Sequence, residues 1–452
     1  MNYYNKKLGK YYLCRQNKSN MKKIVLGFIF LISAGITLAQ NKAPADYHFT
    51  LEDCLNYAFG NNYNFQSVKL TEDAKNDAYQ QSKMERLPNL NASLGENLNN
   101  SKIAGSSWNG NYGLSTSMTL YQGGNISNAI EQNKLQKEQS SYQTSQYQNN
   151  LTIQILQAFL TILGNEELLK YQEFVVKASE EQLNQGKVQF SQGQILESDY
   201  LLLEAQYAND QFNVLNTQIS HDNSLLTLKN LLSMPATDGL QVISPDTASI
   251  QLMSLMPSVD EVLNQTNQTL PDLRISQYNI DIAQIGLKMA KANYLPTLSL
   301  HGSIGTNHTD YDNFGTQLSN YFNQQIGLSL SIPIYDNSRT RSRVAQSRIA
   351  LQQAELDKKQ SDLNIQQTVV TEYQSIVSAY HKYQATNIRQ NAYLKTFNAY
   401  RAQFNSGSIT AVDLLQQQNN YISALNDYIQ SKYEFILQRK ILDVYMGVPV
   451  TI

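Results

Sequence analysis

The sequence predicts an α+β membrane protein built as two tandem repeats, each a helix, a β-hairpin, a very long helix and a return helix. Three observations predict it. The turn from Phe404 to Asn420 occurs earlier as Phe190 to Gln206, so that Phe190, Gly193 and Asp199 match Phe404, Gly407 and Asp413 at a constant offset of 214 residues. Two stretches alternate apolar and polar residues with the period of a strand. Two further stretches run for more than sixty residues at helical spacing, with no proline.

The chain has 452 residues, of which 41% are hydrophobic and 16% charged, and its formal net charge is −2. This balance gives no basic footprint for nucleic acid and no polybasic patch for a membrane surface. Met21-Lys22-Lys23, the apolar run Ile24 to Ile32 and the small-residue site Thr37-Leu38-Ala39 read as a secretory signal peptide. Residues 1–39 are therefore expected to be removed as signal and upstream extension, leaving Gln40 first. Cys14 goes with them. Cys54 is then the sole mature cysteine, with no internal disulfide and no lipid anchor at the cleavage site. Past Gln40 no apolar run is long enough for a spanning helix, so any membrane crossing must use strands.

Thr50 to Phe59 predicts a short helix with Thr50 as N-cap and Asp53 at N3. Tyr63 to Arg86 predicts a second, ended by Leu87-Pro88. Leu90, Ala92, Leu94 and Leu98 then alternate with polar residues, as do Tyr112, Leu114, Met118 and Leu120, giving a hairpin over residues 88–121. Tyr121-Gln122-Gly123-Gly124 closes it. Asn125 to Gln189 predicts a helix of about 98 Å. The Gly193 turn and a return helix, Ile195 to Leu232, follow. Residues 40–235 form the first repeat, and residues 236–257, with Gly239, Pro245 and Pro257, form the connector.

Residues 258–452 repeat the plan. Ser258 to Leu263 matches Thr50 to Leu55, and Leu295-Pro296 matches Leu87-Pro88. The second hairpin, residues 296–335, alternates through Leu298, Leu300 and Ile304 and returns through Ile326, Leu328, Leu330, Ile332 and Ile334. A long helix from about Ser338 to Gln403 leads to the Gly407 turn. The last helix carries sevenfold rows through Leu415, Ile422, Ile429 and Ile436. Four strands apolar on one face suit a bilayer, but they cannot close a barrel, which takes about eight. The chain must therefore oligomerise, and a trimer gives twelve strands. Sevenfold stripes wide enough to meet two neighbours suit a closed ring of helices.

On the duplicated unit, the Leu-Pro before each first strand, the Tyr-Gln-Gly-Gly and the two Phe-x-x-Gly turns, the chain resembles the TolC family of outer-membrane efflux proteins from about Asp46 to Pro449. The resemblance implies a homotrimeric 12-stranded β-barrel in outer-membrane lipid, continued by a 12-helix α-barrel in the periplasm. It implies a passive exit duct of a tripartite efflux or type I secretion system. Its partners would be a periplasmic adaptor (membrane fusion protein) and an inner-membrane pump. Gly193 and Gly407 become adaptor-docking tips, and Asp199 and Asp413 lie at the periplasmic entrance. Threefold symmetry would make Asp413 a ring of carboxylates. The plain alternative is a carboxylate stabilised at a helix N-terminus. Phe404 and Ile409 stand where the family's best-known pattern has a tyrosine and an arginine tethering the closed state, and Gln416 stands where it has a second ring aspartate.

No catalytic constellation is present, no phosphate-binding loop and no His-Glu-x-x-His. His48, His221, His301, His308 and His381 lack metal-ligand spacing, so no cofactor, metal or enzymatic activity is expected. A structural periplasmic coiled-coil or adaptor protein without a pore is the competing reading. It has no use for a lipid-facing strand surface.

Overall fold

A computed structural model describes residues 46–103, 105–244, 257–309 and 313–450; the signal segment and most of the connector lie outside them. The described chain divides into a small unit, to which Asp46, Tyr47 and Thr237–Gly239 belong, and a main unit of His48–Ala236 with Leu240–Ile452. In chain order the elements are β1 (Asp46–Phe49), α1 (Leu51–Asn61), α2 (Tyr63–Met84), β2 (Asn89–Ser101), β3 (Gly105–Gln122), α3 (Asn125–Ser191), α4 (Glu197–Leu232) and β4 (Gly239–Val242). There follow α5 (Val259–Thr269), α6 (Pro271–Ala292), β5 (Thr297–Thr309), α7 (Phe314–Asn320), β6 (Asn323–Ser331), α8 (Arg339–Asn405) and α9 (Ala411–Tyr445). β1 and β4 pair as a two-stranded sheet.

Helix starts follow local chemistry. Thr50 and Asp53 form a reciprocal capping box at α1, Asn62 caps α2, and the Ser258 hydroxyl caps α5. α3 and α8 each run 67 residues, about 100 Å. No single shorter helix matches that length, so each long helix packs against two in succession. α3 packs on α2 and α6 toward the sheet and on α4 and α9 away from it. At the joint, the Asn62 amide donates to the Leu231 carbonyl (2.8 Å) and the Tyr63 N–H to the Ser233 hydroxyl (3.2 Å), so α2 continues the line of α4. α9 ends against α5 in the same way, through Gln265 and Thr269 on its last carbonyls. A core of Val262, Val369, Ile376, Ala379, Phe435, Leu442 and Met446 fills the second joint.

The four long strands form one antiparallel sheet in the order β2-β3-β5-β6. Register puts Leu94 opposite Tyr112, Leu114 opposite Ile304 and Leu300 opposite Leu328. Even-numbered residues therefore share one face, including Leu90, Leu94, Leu114, Leu300, Ile326 and Leu328. Odd-numbered Asn91, Ser93, Ser115, Ser303, Gln325 and Ser329 share the other, with a bulge near Tyr121. Leu90, Leu94, Ile326 and Leu328 are 65–81% exposed, which leaves the apolar face uncovered within one copy.

Three features depart from the sequence reading. β6 stops at Ser331, short of Ile332 and Ile334, because Pro333 has no N–H for the ladder. The added length of the second hairpin forms α7, whose Phe314 meets His308 edge-on at 4.8 Å. Finally, a carboxylate, Glu96, lies on the leucine-rich face. It is satisfied there by Trp108 Nε1 (2.6 Å), His308 Nε2 (3.2 Å) and the Tyr112 hydroxyl. His308 is 2% exposed and sits against Gly110, where a Cβ would collide with its ring.

Cys54 is fully buried and free, and burial pushes its thiol up to about 12. The reactive thiolate is thus nearly absent at neutral pH. Maleimide labelling of Cys54 is expected to be negligible in the folded protein at pH 7.5 and complete in denaturant. Rapid labelling without denaturant would show that the α1 packing opens.

Candidate functional site

The two recurrent turns are built alike. α3 ends with Gly193 N–H on the Phe190 carbonyl (2.9 Å) and Gln194 N–H on the Gln189 carbonyl (2.8 Å). α8 ends with Gly407 N–H on Phe404 (2.9 Å) and Ser408 N–H on Gln403 (2.9 Å). Both glycines have φ of 71°. This is the helix stop in which a left-handed residue closes the last carbonyls, and a side chain there costs roughly 1–2 kcal/mol. An added Cβ would meet no atom within 4 Å at either position, so both turns are open to the outside.

The entries to the return helices differ. Thr410 caps α9 and forms a reciprocal box with Asp413, whose carboxylate accepts from the Thr410 hydroxyl (2.6 Å) and N–H (3.3 Å). α4 has Leu196 at its cap and no side-chain bond there, leaving Asp199 at N3 without a hydroxyl partner at the cap. The side chain of Asp413 is exposed and that of Asp199 half-buried. Phe404 is 2% exposed, whereas Phe190 is 40% exposed and stacks on Tyr200 at 5.6 Å. Ile409 is half-buried between the turn and the cap. All six positions singled out in the sequence thus fall within the two tips, and neither Phe404 nor Ile409 has a polar atom with which to bridge them.

A polar cluster that the sequence reading missed joins the two helix pairs. Asp210, eleven residues past Asp199 on α4, is 3% exposed. It accepts from Gln206 Nε2 (2.8 Å) and, across the bundle, from Gln418 Nε2 of α9 (3.1 Å). Burial holds its carboxyl above the usual range, outweighing the opposing hydrogen bonds from Ser179 and Gln206. Gln182 is buried nearby on α3 with both amide atoms unpartnered. Further up, Glu167 of α3 accepts from Lys432 Nζ and the Tyr433 hydroxyl of α9, each at 2.8 Å. The signal was a lone Asp in a helical run, indistinguishable by spacing from a solvated one. Among the described residues no three His, Cys, Asp or Glu side chains gather as a metal site. His221 lies 3.6 Å from Glu166 and His301 lies over Gly327.

The helical tips, the open sheet and the duplicated plan can be set against known proteins. The outer membrane efflux protein family matches residues 54–233 and 262–448. The chain belongs to the outer membrane efflux protein family. The outer membrane protein TolC of Vibrio cholerae is 24% identical over 425 residues, 92% of this chain and 93% of that one. The alkaline protease secretion protein AprF of Pseudomonas aeruginosa is 21% identical over 178 residues, 39% of this chain and 37% of its own. In fold, the chain superposes on CusC with a TM-score of 0.77 at 15% identity, covering 92% of this chain and 96% of that one. The open-state MtrE outer membrane channel of Neisseria gonorrhoeae gives 0.71 at 18% identity, covering 88% of each. As a member of this family the protein is an outer-membrane transport component and not an enzyme.

The burial of Asp210 predicts a pH-dependent contribution to the stability of the bundle. A carboxyl with a raised folded pKa contributes stability that is full below its ordinary value of 3.8 and is lost as pH rises through the folded value. Asp210→Asn should therefore gain helical stability relative to wild type as pH rises from about 4 to about 8. Urea unfolding followed by circular dichroism checks this. A difference that stays constant across that range would show that Asp210 is not held by burial.

Proposed function

We propose that three copies of the chain form a passive exit duct through the outer membrane. In this reading the sheets close into a 12-stranded barrel, and the helices continue it as a 12-helix tunnel into the periplasm. The tips at Gly193 and Gly407 dock a periplasmic adaptor, and an inner-membrane pump supplies the energy. One observation carries the reading: the sheet has one face rich in leucine and isoleucine, the other polar, and among the described residues no strand pairs with either edge. In hydrocarbon an unpaired backbone edge costs several kcal/mol per group, so such a sheet must close on other copies. Strands of 9–18 residues suffice to cross the apolar layer.

The helices support the same assembly. α4 leaves Leu201, Phe212, Leu215, Ile219 and Leu226 about half exposed in one coiled-coil row, and α8 leaves Ile349, Leu356 and Leu363 exposed seven apart. Neighbouring copies would cover both. Three capped Asp413 side chains then ring the tunnel entrance and favour cations. Asp199 forms a second, looser set. With Phe404 buried and apolar, closure relies on internal contacts such as Asp210–Gln418 rather than a tip tether.

Two measurements test this. Leu328→Arg, on the apolar face, should cost about 2–4 kcal/mol and deplete assembled outer-membrane protein, while Ser329→Arg, on the lumen face, should assemble and alter conductance. Equal tolerance of both would contradict a lipid-facing surface. In planar bilayers, trivalent cations added from the tip side should block the channel, and Asp413→Asn should relieve most of that block. Block unchanged by Asp413→Asn would leave Asp413 as a cap alone.

A further inference from the structure

The whole-chain charge balance predicts no basic surface, yet one is concentrated at the head of α8. Arg339, Arg341, Arg343 and Arg348 fall within ten residues, and no Asp or Glu occurs between Asn337 and Ala354. All four side chains are exposed. Arg339 donates to the Asp336 carbonyl at 3.2 Å. Arg341, Arg343 and Arg348 have no carboxylate within ion-pair reach among the described residues. The first repeat carries Asn125, Ser127, Ala129 and Lys134 at the matching positions, so the cluster belongs to the second repeat alone.

The cluster begins where the apolar face of the sheet ends. Past the end of β6, Ile332 and Ile334 keep the same alternate spacing in the sequence and are 58% and 94% exposed. Tyr294 and Tyr335, which share a groove with Ile334, are 53% and 82% exposed. A groove of about 230 Å³ opens between Tyr294, Tyr335 and Arg341, with Ser338 also on its wall. The Asp336 carboxylate lines it too, but it is engaged by the N–H of Thr340 (2.8 Å) and the Thr340 hydroxyl in the first turn of α8.

An apolar row, an aromatic pair and unpaired guanidinium groups thus follow one another along the molecule. A glycerophospholipid at a leaflet boundary has the same sequence of chemistries: acyl chains, the ester region, then phosphate. Guanidinium binds phosphate with two parallel hydrogen bonds and remains charged at every relevant pH. Aromatic side chains settle at the ester level. We propose that Arg341, the one arginine on the wall of the groove, holds the phosphate of an anionic phospholipid of the inner leaflet, its acyl chains lying on the Ile332–Ile334 row, while Arg343 on the opposite face of α8 and Arg348 two turns further along add only longer-range positive charge. The proposal rests on the reading of the sheet as a membrane barrel. A free phosphate would engage the arginines but would leave the apolar and aromatic walls unused.

The test uses the purified full chain in detergent and native mass spectrometry, with phosphatidylglycerol, phosphatidylcholine or inorganic phosphate added. Wild type should retain phosphatidylglycerol over phosphatidylcholine. The Arg341→Gln/Arg343→Gln/Arg348→Gln variant should retain it about tenfold less, and Arg341→Gln alone should show a smaller loss. Arg389→Gln, whose partner Asp427 lies far along the bundle, should match wild type. Excess inorganic phosphate should leave the lipid in place. Equal retention in the triple variant overturns the proposal, as does complete displacement by inorganic phosphate, which would indicate a simple anion site. Conductance of the same preparations separates the two levels. A conducting wild type whose lipid retention ignores the arginines overturns this proposal alone. A wild type that never conducts overturns the barrel beneath it.

Discussion

The governing constraint on this structure is the backbone hydrogen bonding left open at the two edges of its sheet. β2 and β6 each offer a row of donors and acceptors with no further strand beside it among the described residues, while the even-numbered face is rich in leucine and isoleucine. In water such a sheet would recruit other chains indiscriminately. In a bilayer the apolar face is satisfied by lipid, and the edges have one remedy, closure. The sole carboxylate on that face among the described residues, Glu96, sits near the end of the strands distant from the long helices. There Trp108, Tyr112 and His308 take up its charge and hydrogen bonds.

The two repeats share a plan but have diverged in burial. α9 packs against α8, α3 and α4 and buries Leu414, Tyr421, Leu425, Ile429 and Ile436. α4 buries Leu203 and Leu228 but leaves a whole apolar row outward. The tips show the same divergence: Phe404 is inside and Phe190 is outside, and Thr410 caps where Leu196 cannot. α9 is thus central within one copy, whereas α4 keeps an apolar row that the proposed ring of copies would cover. The polar contacts between the helix pairs at Asp210–Gln418 and at Glu167 differ in kind from the packed leucine around them, because water can replace their hydrogen bonds.

Much of this was legible in the chain because the signals were local. The Thr50–Asp53 box, the period change after Pro88 and the glycine stops at 193 and 407 each depend on neighbours within a few residues, and each takes the expected form. The strand end at Ser331 was misplaced because alternation continues through Ile334, while Pro333 had already ended the ladder. α7 was missed because seven residues carry too little periodicity. The Asp210 cluster was invisible because its partners lie 31 residues back, on Ser179, and 208 ahead, on Gln418. Nothing in sequence spacing distinguishes a carboxylate facing water from one facing another helix.

The central claim is that the β2 and β6 edges meet between copies. Single cysteines placed along β2 and along β6, in a Cys54→Ala background, would be oxidised in isolated outer membranes and resolved under denaturing conditions. Covalent trimers are expected for pairs at one fixed register, on odd-numbered positions with odd and even with even. Monomer at every pair, from protein shown to be folded, would contradict it.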